Sequence, residues 1–106
     1  MTALINVPPS AQAGEIIEIK VMIQHPMETG FRSAAMGGLI PRDIIKHLRC
    51  TYGGAEVLAV ELHPAITANP FFAFHLRAGP ETADILFEWE DEQGQSWSQS
   101  ATLQVG

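Results

Sequence analysis

Apolar and polar residues alternate with a period of two along most of the chain. The clearest run is residues 15–24. Ile17, Ile19, Val21 and Ile23 fall on one face, and Glu18, Lys20, Met22 and Gln24 on the other. β-Branched residues on one side of such a run predict a strand with one buried face. Ala13-Gly14 reads as the turn into it. Residues 1–7 predict a short first strand ended by Pro8-Pro9, whose rings cannot donate to a ladder. Residues 44–52 and 56–62 predict a hairpin around Gly53-Gly54, because a tight hairpin turn needs positive φ values that glycine adopts freely. Ile44, Leu48, Cys50 and Tyr52 then face inward, opposite Leu58, Val60 and Leu62. Residues 71–78 place Phe72, Phe74 and Leu76 on one face and end at Gly79-Pro80. Residues 83–90 do the same with Ile85, Phe87 and Trp89. Residues 91–94 read as a turn with Gly94 left-handed. Residues 95–105 close the chain with Trp97, Ala101, Leu103 and Val105 aligned.

About seven strands in a single domain spanning residues 1–106 predict an all-β fold, an immunoglobulin-like β-sandwich of antiparallel strands. No segment carries a convincing 3.6-residue period. The longest irregular stretch is residues 25–42, and a loop of that length in a small sandwich is often functional.

Charge and composition narrow the function. Six Lys+Arg against twelve Asp+Glu give a net charge of −6, which argues against a nonspecific nucleic-acid binder and against a polybasic grip on anionic lipid. No apolar run approaches the ~20 residues that span a bilayer. The first residues lack the basic and apolar regions of a secretory signal, so the residues alone point to the cytoplasm. One cysteine precludes an intrachain disulfide and a cysteine-based zinc cluster.

Candidate chemistry is sparse. His25, His47, His63 and His75 fit no metal-binding spacing; the expectation is separate surface or loop histidines and no metal or cofactor. The His25-Pro26-Met27-Glu28 cluster is the best remaining candidate, against a plain loop-packing role. Cys50 sits mid-strand on the apolar side and reads as core, whereas a reactive thiol needs exposure and a nearby cation. Arg32 and Arg42 bracket the long loop, where two guanidinium groups suit an anion or a partner carboxylate, against a plain reading as surface arginines or an internal loop clamp. Asn69-Pro70 is a natural turn. Glu88, Glu90, Asp91 and Glu92 form an acidic run that reads as a solvated strand end.

Four segments carry a resemblance. They are His25-Pro26-Met27-Glu28-Thr29-Gly30-Phe31-Arg32, Ile40-Pro41-Arg42-Asp43-Ile44-Ile45, Ala65-Ile66-Thr67-Ala68-Asn69-Pro70-Phe71-Phe72-Ala73-Phe74 and Phe87-Glu88-Trp89-Glu90-Asp91-Glu92-Gln93-Gly94. In this order and spacing the chain resembles the SoxZ family over residues 7–105. The resemblance implies a non-catalytic scaffold subunit of a heterodimeric SoxYZ sulfur carrier of thiosulfate oxidation. Its SoxY partner bears the sulfur on a cysteine arm, and the complex docks transiently to the pathway enzymes. It also implies a periplasmic location, reached by co-export with a signal-bearing partner. The present chain departs from the family in the neutral stretch Ser33-Ala34-Ala35-Met36-Gly37-Gly38 and in His63, where an acidic residue is common.

Met22, Met27, Met36, Phe31, Phe71 and Trp97 exceed what one small core requires, and Met and aromatics are enriched at interfaces. The expected partner contacts are therefore His25, Met27, Glu28, Phe31, Arg32, Arg42, Asn69 and Phe71. The competing reading is a stand-alone small-molecule or metal-binding sandwich that uses the His25 loop. A third is an enzyme with Cys50 as nucleophile.

Overall fold

The computed structural model describes residues 2–25, 27, 37–38, 43–62 and 68–106. The alternating runs become seven strands: β1 (Ala3–Asn6), β2 (Ile16–Ile23), β3 (Ile45–Tyr52), β4 (Ala55–Glu61), β5 (Phe71–Arg77), β6 (Ala83–Asp91) and β7 (Ser96–Leu103). They form two antiparallel sheets, β1-β2-β5 and β4-β3-β6-β7. The fold is the β-sandwich that the alternation predicts.

The inner faces meet in one core. Ile17, Ile19, Val21 and Ile23 of β2 are sealed together with Leu48 and Cys50 of β3, Ile85, Phe87 and Trp89 of β6, and Leu103 of β7. Phe74 meets Phe87 edge to face, with centroids 6.3 Å apart, a favoured aromatic geometry. The β3–β4 hairpin turns on Gly53 and Gly54 at φ 57° and 85°, between the paired Tyr52 and Ala55. The side chain of Gln99 stitches β7 to the edge of β1. Its Nε2 donates to Ala3 O (2.6 Å) and its Oε1 accepts from Ala3 N (2.9 Å). A side-chain amide thus takes the place of a backbone partner where the two sheets meet.

Two features depart from strict alternation. A bulge in β3 pairs Ile45 with Asp91 and His47 with Glu90, leaving Lys46 extra. It buries both Ile44 and Ile45, where the alternation predicts only Ile44 inside, and leaves Lys46 and His47 together in solvent. The second correction concerns Asp91. Instead of opening a solvated turn, it ends β6 and is fully buried.

Candidate functional site

The long loop leaves β2 at residue 24 and enters β3 after residue 44, and both of its ends are tied down. The His25 N–H donates to Asn69 Oδ1 (3.1 Å), and the Asn69 N–H donates to His25 O (2.7 Å). Asn69 makes this exchange from φ 52°, a left-handed conformation that Asn tolerates better than most residues. The Met27 N–H donates to His25 Nδ1 (2.9 Å), while Met27 Sδ accepts from the Ile45 N–H (3.3 Å). At the far end Glu92 accepts from Ile44 N through Oε1 (3.3 Å) and donates its own N–H to Ile44 O (3.0 Å).

Between these ties three ionisable side chains converge from three places in the sequence. His25, Asp43 and Asp91 each offer an atom within 4.8 Å of the others. His25 and Asp91 are sealed from solvent, and Asp43 is about one-fifth exposed. His25 Nε2 stands 3.9 Å from Asp43 Oδ2. Asp91 Oδ1 accepts from the N–H groups of Gln93 and Gln95, both at 3.0 Å, the hydrogen-bonding pattern of an Asx-type turn. The Asp43 carboxyl is raised above its ordinary range. Burial is the largest cause, followed by the negative charge of Asp91; the close approach of the Asp91 carboxyl and the charge of Glu92 add to it, and the His25 ring opposes it.

One histidine and two carboxylates have the composition of a divalent-cation site, but the ring is turned the wrong way. A metal-binding imidazole donates its other N–H outward. Here Nδ1 accepts from Met27, so neutral His25 carries its proton on Nε2 and faces the carboxylates as a donor.

The outer faces of the two sheets differ in character. The four-stranded sheet presents His47, Arg49, Glu88 and Glu90, with ion pairs Lys46–Glu90 (3.4 Å), His47–Glu90 (3.5 Å) and Arg49–Glu56 (3.4 Å). The three-stranded sheet carries ion pairs too, Lys20–Glu18 (3.4 Å) and His75–Glu18 (4.0 Å), but beside them stands an apolar row. Leu4 pairs with Met22 and Met22 with Phe71 across β1, β2 and β5, so their side chains stand side by side. Leu4 is 57% and Phe71 59% exposed, and the row lines a shallow surface depression with Ile5, Asn6 and Lys20. Ile16, 53% exposed, lies at the other end of β2. Phe71 follows directly after Asn69-Pro70, so the row adjoins the anchored base of the loop.

The expected site residues therefore separate. Phe71 is on the surface, and exposed Asn69 acts as a loop tie. His25 and Met27 are buried, with His25 Nδ1 accepting from Met27 and Met27 Sδ accepting from Ile45, which fits the loop-packing role weighed for the His25 cluster. Glu28, Phe31, Arg32 and Arg42 lie outside the described residues, as does His63. His47 and His75 are exposed. Cys50 is buried, and burial raises its thiol to about 11, which fits a core residue rather than a nucleophile. Sequence reasoning missed Leu4, Asp43 and Asp91. The signal for Asp91 was present: continuing Ile85, Phe87 and Trp89 by two residues lands on it.

The fold is shared with several solved structures. The superoxide reductase (neelaredoxin) of Ignicoccus hospitalis matches at TM-score 0.75 and 17% identity, covering 100% of this chain and 81% of that one. A putative superoxide reductase from Thermotoga maritima matches at 0.73 and 15%, covering 98% and 85%. The sulfur carrier protein SoxY from Chlorobium limicola f thiosulfatophilum matches at 0.70 and 12%, covering 97% and 74%. At such identities the likeness is one of fold alone. A comparison with curated proteins found no match. The family described as sulphur oxidation protein SoxZ matches residues 5–102, nearly the whole chain, and the protein therefore belongs to the SoxZ family.

Proposed function

We propose that this chain is a non-catalytic scaffold subunit. It pairs with a SoxY-like subunit that bears the sulfur on a cysteine arm, and it presents the heterodimer to the enzymes of sulfur oxidation by transient docking. Family membership supports a partner of this kind. The observation that carries the reading is the Leu4–Met22–Phe71 row. Exposed large apolar side chains standing together on a sheet face call for cover, and aromatic and Met side chains are enriched at interfaces. Among the described residues the opposite sheet exposes one large apolar side chain, Val57, amid its ion pairs, and so offers no comparable row.

The mechanism on this reading is mechanical. The apolar row across β1, β2 and β5 receives the partner, and the partner's mobile arm is displayed from the pair. Cys50 is sealed in the core, so the sulfur cargo rides on the partner. The chain works in the periplasm after export with that partner.

The test is to co-express the untagged chain with a tagged SoxY-like protein from the same genome and to measure the mass of what co-purifies. A one-to-one complex that survives gel filtration is expected. A well-folded chain that never co-purifies would refute the reading.

A further inference from the structure

The buried contact between Asp43 and Asp91 raises a question that partner binding does not touch. Two inward-facing carboxyl oxygens, Asp43 Oδ1 and Asp91 Oδ2, are sealed from solvent and accept no N–H or O–H from the described residues. They belong to a cluster whose atoms lie within 4.8 Å of one another. Ionised carboxylates are acceptors only, so two of them satisfy each other only when one carries a proton. Like charges this close in a poorly solvated site do not both ionise at their ordinary values.

The roles of the two acids follow from their other contacts. Asp91 is held by two backbone N–H groups, those of Gln93 and Gln95, and such donors favour a carboxylate. Among the described residues Asp43 has no such backbone donors, and the groups facing it are mostly anionic: Asp91 and Glu92 from the end of β6, with His25 from the end of β2. The His25 ring presents Nε2 to Asp43 Oδ2, and Asp43 Oδ1 is sealed from solvent in the same cluster as Asp91.

We propose that Asp43 and Asp91 share one proton, with Asp43 as the neutral acid donating from Oδ1 to Asp91 Oδ2. This proton clasp locks the return end of the long loop onto β6 and loosens when the proton is lost. His25 stands beside the other carboxyl oxygen of Asp43, its Nε2 at 3.9 Å. The device is independent of what the loop or the sheet face binds, and it makes the loop's attachment pH-dependent. Asp43 is raised above 3.8 in the folded chain. Between that value and its folded one, the native state therefore holds more protons than the unfolded state. Stability from the clasp is complete below the unfolded value and is lost as pH rises through the folded one.

Asp43→Asn mimics the proton permanently, since its amide donates to Asp91 while its oxygen still faces His25. In the full chain at pH 8 this variant should melt higher than the unmodified protein, by roughly 2–5 °C for a domain of this size. The gain should shrink as pH falls toward 4. In parallel, the 13C carboxyl resonance of Asp43 should keep the shift of a neutral acid to a pH well above 3.8. An Asp43 resonance that ionises at the ordinary value overturns the proposal, and so does an Asp43→Asn variant destabilised equally at pH 4 and pH 8. One-to-one uptake of Zn2+ by the unmodified chain, abolished by Asp43→Asn, would overturn it in favour of a cation site.

Discussion

Replacing Phe71 by Ala should weaken association with the SoxY-like subunit about thirtyfold while leaving the isolated chain nearly as stable as before. Phe71 is 59% exposed in the free chain. A Phe side chain has roughly 200 Å² to bury, so about 120 Å² waits to be covered by a partner. At about 25 cal/mol per Å², full cover contributes about 3 kcal/mol. Alanine keeps its Cβ and recovers some of that, which leaves a loss of about 2 kcal/mol, or ~30-fold in Kd. The same residue contributes little to the fold, because its side chain points away from the core that Phe72 and Phe74 join. Unfolding of the isolated variant in urea should shift by less than about 1 kcal/mol. The assay is calorimetric titration of each chain into purified SoxY-like subunit, repeated at low and high salt. An apolar contact predicts that the ratio of the two affinities is insensitive to salt, unlike one carried by surface charge. Unchanged affinity on Phe71→Ala, or a loss that merely tracks unfolding of the variant, would refute the assignment of this face.

The remaining expectations concern the parts that hold the face and loop in place. Asn69→Gly should cost about 1 kcal/mol, by removing the acceptor of the His25 N–H, and Asn69→Ala about 1 kcal/mol more, by forcing a Cβ residue to φ 52°; equal melting temperatures for the two variants would show that the left-handed backbone carries no strain. Cys50 should resist maleimide in the folded chain and react at once in guanidinium. With the thiol at about 11, about one molecule in a thousand is thiolate at pH 8, and the sulfur is sealed besides; rapid labelling of the native protein would contradict the core placement. Gln99→Ala should fray β1 selectively, because two hydrogen bonds join its side chain to the edge strand at Ala3. Amide hydrogen exchange should quicken in residues 3–6 and stay slow in β3 and β6; uniform exchange across both sheets would count against the stitch.

Much of the fold was legible because a sandwich strand writes itself as alternation. Ile17, Ile19, Val21 and Ile23 are buried as the period requires, as are Ile85, Phe87 and Trp89. The Gly53-Gly54 hairpin stands where two glycines place it. Cys50 is in the core, as its position on the apolar face implies. The candidate site was less legible. A histidine before a proline at a strand end looks the same in sequence whether it faces solvent or is buried, and His25 is buried because Met27 N–H and Asn69 close over it. The β3 bulge, set by how Ile45 and His47 pair with β6, is likewise invisible to a period-two reading.

By itself the sequence determined the strand count, the inward residues of β2 and β6, the absence of a disulfide, and the family through its four motif segments. These are local properties, written in spacing and residue type. The tertiary structure alone decided which strands pair, and so which side chains meet. Leu4, Met22 and Phe71 lie far apart in the chain and form a row only because β1 and β5 flank β2 in one particular register. Asp43 and Asp91 are 48 positions apart and oppose each other only because the β3 bulge pairs Ile45 with Asp91. Alternation says which face a residue takes, but the residue that faces it is chosen by long-range register, and that choice belongs to the packed whole.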